Sequence, residues 1–265
     1  APWKRQQEAS ASLSLSLSLS LSLSSPTTWS QYATGLYTVE GQPPLPLPTG
    51  GRPQTSAFFS IEMIRDAIDR LSTGRAQDHE GLVAEHLIYG RDTLAPLLAH
   101  MFNRALCEGF PESWSMHTII PILKAGDPLV PNNYRTIMIG HVLAKLYASI
   151  LEHELSRWAE RQGCRAQGQA GFRRGFSTLD HILTLRATIE EGRAHGRRIY
   201  CCFVDFRKAF DTVPRARLMR RLYELGVDSE LTWGILALYE LVAGRVRTPE
   251  GESELVHSTI GVKQR

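Results

Sequence analysis

Ile199-Tyr200-Cys201-Cys202-Phe203-Val204-Asp205-Phe206-Arg207-Lys208-Ala209-Phe210-Asp211-Thr212-Val213-Pro214 decides how the rest of the chain is read. Its first six residues are apolar or aromatic, two of them β-branched, the pattern of a strand buried on both faces. That strand runs directly into Asp205. A sheet that fixes the backbone while a carboxylate projects from the strand end holds a metal ligand rigidly. Asp also starts turns through local hydrogen bonds, so on these residues alone both readings of Asp205 stand.

The run from Phe203 to Val213 closely resembles the first palm motif of reverse transcriptases from non-LTR (LINE-type) retrotransposons. The resemblance implies that Asp205, with the backbone carbonyl of Phe206, binds the two catalytic magnesium ions. It also implies that Phe210 lies under the sugar of the incoming nucleotide and rejects a 2′-hydroxyl.

Further blocks carry the same resemblance. Thr118-Ile119-Ile120-Pro121-Ile122-Leu123-Lys124 predicts a strand, which the loop Ala125-Gly126-Asp127-Pro128 turns into Asn132-Asn133-Tyr134-Arg135-Thr136-Ile137. This block is similar to the family's fingers motif, in which a Lys and an Arg reach the nucleotide triphosphate; here they are Lys124 and Arg135. By residue type alone both are ordinary surface cations. The implied chemistry suits them, since cations neutralise charge developing on a leaving pyrophosphate and an Arg fork fits phosphate oxygens. Thr136 stands where the family has Pro.

Gln169-Ala170-Gly171-Phe172 and Ser177-Thr178-Leu179-Asp180 match the family's Gln-x-Gly-Phe and Ser-Thr-x-Asp pattern. Arg173 and Arg174 between them read as template or primer backbone contacts, with a solvated, glycine-flanked turn as the alternative. Gly261-Val262-Lys263-Gln264-Arg265 resembles the start of the next palm motif, Gly-Val-x-Gln-Gly. Its Gln, Gln264 here, contacts the nucleotide in that family, and Arg265 replaces the glycine. Gly74 to Leu82 occupies the place of a Lys-Ala-Pro-Gly-x-Asp-Gly loop, where only Ala76, Gly81 and Leu82 match strictly. Gln77 for Pro and Asp78 for Gly remove a fixed φ and a permissive one.

The 265 residues are 43% apolar, enough for one or two domains with a substantial core. No apolar run reaches the roughly 18 residues of a membrane span, so no membrane partner is expected. The first residue is Ala, as in a fragment or conceptual translation, and no secretory pattern precedes the core. Cys107, Cys164, Cys201 and Cys202 lack paired metal spacing and read as reduced thiols of an intracellular protein. The nine histidines show no zinc-binding spacing. Charge is unevenly spread: residues 161–225 carry 14 basic and 6 acidic groups against a net +3 for the whole chain. Such a block suits a phosphate-facing surface, the alternative being a solvated, Arg-rich helix face.

Residues 12–24 alternate Ser and Leu as low-complexity sequence, and five prolines between Gln42 and Pro53 show no packing period. Residues 1–57 therefore read as a disordered or foreign leader. Ser60 can cap a helix carrying Ile61, Ile64, Ile68 and Leu71. A second apolar stripe runs Leu94, Leu97, Leu98, Met101, Phe102, Ala105. A long helix is expected from His141 to Trp158, and another, capped by Ser177 or Thr178, burying Leu179, Ile182, Leu183 and Ile189. Pro214 opens a helix stopped by Gly226, Ser229 can cap the next, and Arg245-Val246-Arg247, Pro249-Glu250-Gly251 and Leu255-Val256-His257 predict a hairpin.

The expected fold is α+β: right-handed polymerase fingers over 58–195 and an incomplete palm over 196–265. The implied activity is RNA-directed DNA polymerisation on an RNA template and DNA primer with dNTP, within the cell and in the nucleus if functional. Two magnesium ions would serve in-line displacement at the α-phosphate. No Tyr-x-Asp-Asp, which supplies the family's other carboxylates, occurs in residues 1–265. The expectation is a truncated, inactive reverse transcriptase domain. The alternatives are a non-catalytic nucleic-acid-binding remnant and a decayed element without stable fold.

Overall fold

The structure is a computed structural model describing residues 25–48 and 50–263. The Ser/Leu tract and Gln264 lie outside the described residues. Two compact units form: the described residues up to Leu151 together with Phe210 onward, and Glu152–Ala209. Their limits do not coincide with the expected 195/196 division.

The first unit is built on a four-stranded sheet: β1 (Met116–Leu123), β2 (Tyr134–Gly140), β3 (Ala243–Thr248) and β4 (Gly251–His257), in the order β2-β1-β3-β4. β1 pairs antiparallel with β2, parallel with β3, and β3 antiparallel with β4. The β3–β4 hairpin forms as its alternation predicts, turning between Thr248 and Gly251. Alternation sorts the faces. Ile119, Thr136, Val246 and Val256 are buried on one, while Arg135, Arg245 and Arg247 are exposed on the other.

What buries the first face corrects the leader expectation. Pro26–Tyr37 is helix α1, opened by Pro26 in its first turn. Trp29, Ala33 and Tyr37 recur every fourth residue, so they share one face. That face packs on Ile119, Val246 and Val256, and the Trp29 ring meets Tyr134 edge-on at 4.9 Å. The Tyr37 hydroxyl bonds to Thr136, and Tyr37 carbonyl accepts from Thr259 N at 2.8 Å. The strap continues with Pro46 accepting from the Tyr223 hydroxyl and Arg52 pairing with Glu240. Residues 25–48 and 50–57 are thus part of the fold, because three spaced side chains outweigh a polar, proline-rich composition.

Helices α2 (Ile61–Asp69), α3 (Ala84–Tyr89), α4 (Arg91–Glu108) and the single turn α5 (Glu112–Ser115) lead into β1. α6 (Val142–Arg161) leaves β2 and runs from the first unit into the second. Ser60 caps α2, its hydroxyl accepting from Met63 N at 3.2 Å. A second core gathers Phe59, Phe102, Phe110, Trp114 and Tyr147, with Tyr147 5.2 Å edge-on from both Phe102 and Phe110. α8 (Arg215–Glu224) and α9 (Ser229–Glu240) complete the unit. α9 is capped by Asp228, which accepts from Glu230 N and Leu231 N, and not by Ser229. The carboxylate one residue earlier reaches both orphan donors.

His117 sits buried in β1 with Nδ1 3.3 Å from the Ala243 carbonyl oxygen. Burial, aided by nearby Lys263, pushes its pKa down to about 4. The unfolded imidazole takes its proton near pH 6.5 and the folded one near 4. Stability is therefore intact above about pH 6.5 and falls, as pH drops to about 4, by on the order of 3 kcal/mol. Urea unfolding at pH 7 and 4.5 should show this loss in the native chain and a smaller one in His117→Gln; equal losses would exclude His117 as the cause.

In the second unit α7 (Thr178–Ala194) starts at a reciprocal cap, Asp180 accepting from Ser177 N at 2.6 Å. Two expectations fail here. Leu179, Ile182 and Leu183 are 71%, 61% and 67% exposed, not buried. Ile199–Val204 has no regular secondary structure and joins no ladder among the described residues, with Tyr200, Phe203 and Val204 at 85%, 84% and 75% exposure. A strand buried on both faces needs flanking strands and two covering layers. The described residues of this unit supply neither.

Candidate nucleotide and nucleic-acid sites

Lys124 and Arg135 are brought together by the β1–β2 ladder. Ile122 pairs directly with Arg135, and the ladder continues one step as Lys124 N donates to the Asn133 carbonyl at 2.9 Å. Directly opposed residues share a face and so do residues two apart on one strand. Lys124, Ile122 and Arg135 therefore emerge on the same, open side of the hairpin, where Ile122 and Ile137 are 47% and 42% exposed. The intervening loop is pinned by Asp127 accepting from Leu129 N and by Asn133 Nδ2 donating to the Asp127 carbonyl at 2.9 Å.

Thr136, the departure from Pro, has a visible use. It faces α1 and bonds to Tyr37, whose burial pushes its pKa up to about 12. Its partner across the ladder is Pro121, which offers no N–H. Arg135 thus projects from a strand fixed from behind by α1.

Phe210 lies beside the segment Gly261–Lys263. Val262 N donates to the Phe210 carbonyl at 2.8 Å and Gly261 N to the Val213 carbonyl at 2.9 Å. Gly261 has φ +82°, and a Cβ there would lie 2.9 Å from the Asp211 carbonyl oxygen, so both backbone conformation and space demand glycine. The sequence reading missed what holds this segment. Arg215 donates to the carbonyls of Gly261 (2.8 Å), Ser258 (2.6 Å) and Ile260 (2.9 Å), with burial pushing its pKa down to about 10. A cation in the first turn of α8 opposes the helix dipole, the one sequence signal that Arg215 had another task. Lys263 points inward, its ammonium 5.7 Å from the Phe110 ring centroid, and burial pushes its pKa down to about 8.

Asp205 and Phe206 lie in the second unit, both exposed and outside any helix or strand. Magnesium needs carboxylates from more than one element. Among the described residues no three His, Cys, Asp or Glu side chains gather, so Asp205 alone does not make a magnesium site. Arg173 is engaged: Nε and Nη2 donate to Glu160 at 2.9 and 2.8 Å, and its guanidinium lies 4.6 Å from the Phe176 centroid. Arg174 is more open, 3.8 Å from Glu152. An open cleft of about 430 Å³ is lined by Arg157, Glu160, Arg161, Arg173, Arg174 and Phe176. Arg157 and Arg161, four apart on α6, were missed because an Arg pair on a helix is usually only solvated. No helix among the described residues is long and apolar enough to cross a membrane.

Comparison with known proteins agrees with the motifs. Residues 122–261, just over half of the chain, match the family described as reverse transcriptase (RNA-dependent DNA polymerase). The chain is 29% identical over 160 residues to the 115 kDa protein of type-1 retrotransposable element R1DM of Drosophila melanogaster, covering 57% of this chain and 15% of that one. It is 31% identical over 132 residues to the Drosophila melanogaster protein named "Probable RNA-directed DNA polymerase from transposon BS", covering 48% and 14%. Identity reaches 33% over 118 residues with the retrovirus-related Pol polyprotein of type-1 retrotransposable element R2 of Popillia japonica, covering 44% and 16%. The chain spans about a sixth of the length of these relatives. It belongs to the reverse transcriptase (RNA-dependent DNA polymerase) family, of the non-LTR retrotransposon kind.

Proposed function

We propose that this chain is the nucleotide-receiving front of an RNA-directed DNA polymerase domain, with fingers over 58–195 and a partial palm over 196–265, inactive by itself. The carrying observation is the common open face of Lys124 and Arg135 on a hairpin fixed from behind. A triphosphate brings about four negative charges, and two cations on one rigid face, one of them a fork, suit it. Phe210 and Gln264 would flank the sugar and base, since the backbone pairs Phe210 with Val262. Arg174 would meet a template or primer phosphate while Arg173 holds its loop. Asp205 and the Phe206 carbonyl would contribute to a site for two magnesium ions only together with carboxylates from another element. RNA template, DNA primer and dNTP are the proposed partners, and the cell interior, in the nucleus, the proposed place.

The test is equilibrium binding of labelled dTTP to the chain and to Lys124→Ala and Arg135→Ala. Each loss of a charge-assisted contact should weaken binding about tenfold or more. Binding that neither substitution alters would overturn the assignment. Primer extension by the native chain on an RNA template would overturn its proposed inactivity.

A further inference from the structure

We propose, resting on the nucleotide reading of Phe210, that Arg215 and Tyr239 are positioning residues for sugar discrimination: they fix residues 258–263 and, through them, the backbone of Phe210. Arg215 is buried, so it acts through what it holds.

The Arg215 guanidinium serves one segment. Nε donates to the Gly261 carbonyl at 2.8 Å, Nη1 to the Ser258 carbonyl at 2.6 Å, and Nη2 to the Ile260 carbonyl at 2.9 Å and the Ser258 hydroxyl at 2.8 Å. None of these partners is a carboxylate, and Arg215 is only 5% exposed. A buried charge needs compensation; here carbonyl dipoles supply it together with the Tyr239 ring, whose centroid lies 5.2 Å from the guanidinium carbon. In a strand, neighbouring carbonyls point to opposite sides. Gly261, at φ +82°, turns its own carbonyl and that of Ile260 onto one donor group. The positive φ and the guanidinium therefore belong to one local device.

Tyr239, in the last turn of α9, holds the next peptide. Its hydroxyl oxygen accepts from Lys263 N, while burial above all pushes its pKa up. On the other side, Gly261 N and Val262 N donate to the Val213 and Phe210 carbonyls. The N–H groups of 261, 262 and 263 are thus all bonded, two of them to the stretch that carries Phe210. Arg215 lies on that same stretch, just beyond Val213 and Pro214, so side chain and backbone close a loop. Moving the guanidinium moves the anchor of Phe210.

A ring under a sugar rejects a 2′-hydroxyl by contact, and displacement by a fraction of an ångström relaxes that contact. Lysine at 215 keeps the charge, but one ammonium cannot span three carbonyls as a planar fork does.

The experiment measures Kd of the whole chain for dUTP and UTP, which differ only at the 2′ position. The native chain should prefer dUTP by about tenfold or more, and Arg215→Lys should reduce the preference to about twofold. Tyr239→Phe, which keeps the ring and loses the acceptor, should fall between them. A merely looser fold lowers both affinities by one factor, the competent fraction, and leaves their ratio intact. Ile64→Val, at a buried position in α2, controls for lost stability and should keep the native ratio. Hydrogen exchange at the amides of Gly261, Val262 and Lys263 reads the clamp without nucleotide, and Arg215→Lys should speed it about tenfold or more.

A ratio unchanged in Arg215→Lys overturns the proposal, as does equal native binding of dUTP and UTP. Unchanged exchange overturns the clamp itself. If the native chain binds neither triphosphate while Arg215→Lys speeds exchange, the nucleotide reading has failed and the discrimination role falls with it, whereas the clamp stands.

Discussion

Trp29→Ala is expected to destabilise the chain by about 4 kcal/mol, the usual cost of emptying a buried indole site. Trp29 is 3% exposed and packs on Ile119, Val246 and Val256, with Tyr32 and Tyr134 edge-on against it. Alanine is the better helix former, so loss of α1 by propensity would not account for the effect. A domain holds about 5–15 kcal/mol in total, and a loss of this size should lower Tm by about 10 °C in a chain of this length. Trp29→Phe should recover more than half of it. A Tm within about a degree of native for Trp29→Ala would mean that α1 is not seated on the sheet.

The consequence reaches the nucleotide face. α1 lies mainly on β4 and β3 and reaches β1 and β2 through Ile119, through Trp29 against Tyr134, and through Tyr37, which bonds to Thr136, the neighbour of Arg135. The side chains that would meet a triphosphate emerge from the β2–β1 edge of the four-stranded sheet, whose apolar face needs a covering layer. A segment whose composition reads as a leader therefore acts as the backing of the candidate site.

Why α1 was illegible follows from its residues. Trp29, Ala33 and Tyr37 do recur at helical spacing, but Thr27, Thr28, Ser30, Gln31 and Thr34 dilute the apolar signal below that of a helix. The β3–β4 hairpin was legible because Arg245-Val246-Arg247 alternates and Pro249-Glu250-Gly251 is turn chemistry. Ser60 and Ser177 were legible as caps for the same local reason. Ile199–Val204 shows the opposite case. Its pattern states what surroundings the segment requires, and periodicity carries no information on whether they are supplied. At the site, the resemblance to the family's motifs named Lys124, Arg135, Phe210 and Asp205, while the sharing of a face by Lys124 and Arg135 needed the register. Arg173 could not be recognised as a clamp, since its partner Glu160 lies 13 residues earlier on another element.

Asp78→Gly restores the residue that the family pattern has at this place, and it is expected to destabilise this chain by about 4 kcal/mol. The Asp78 side chain is fully buried. Its Oδ1 accepts from Glu80 N at 3.0 Å and Leu82 N at 2.9 Å, and its Oδ2 from Val142 N at 3.0 Å, at the start of α6. One carboxylate thus shapes the loop and satisfies an orphan donor at a helix N-terminus, where negative charge is favoured. Glu80 and His141 reinforce the contact, with Glu80 Oε2 3.0 Å from His141 Nε2. Because Leu143 N donates to His141 Nδ1 at 3.1 Å, the ring is the Nε2–H tautomer and donates to Glu80. Glycine would leave Val142 N–H buried and unpaired and would free the loop backbone. Asp78→Asn keeps one acceptor oxygen and should cost about half as much. Urea unfolding of the three proteins measures both differences. Equal or greater stability of Asp78→Gly would mean that the family's glycine suits this loop and that the Asp78 bonds contribute nothing net.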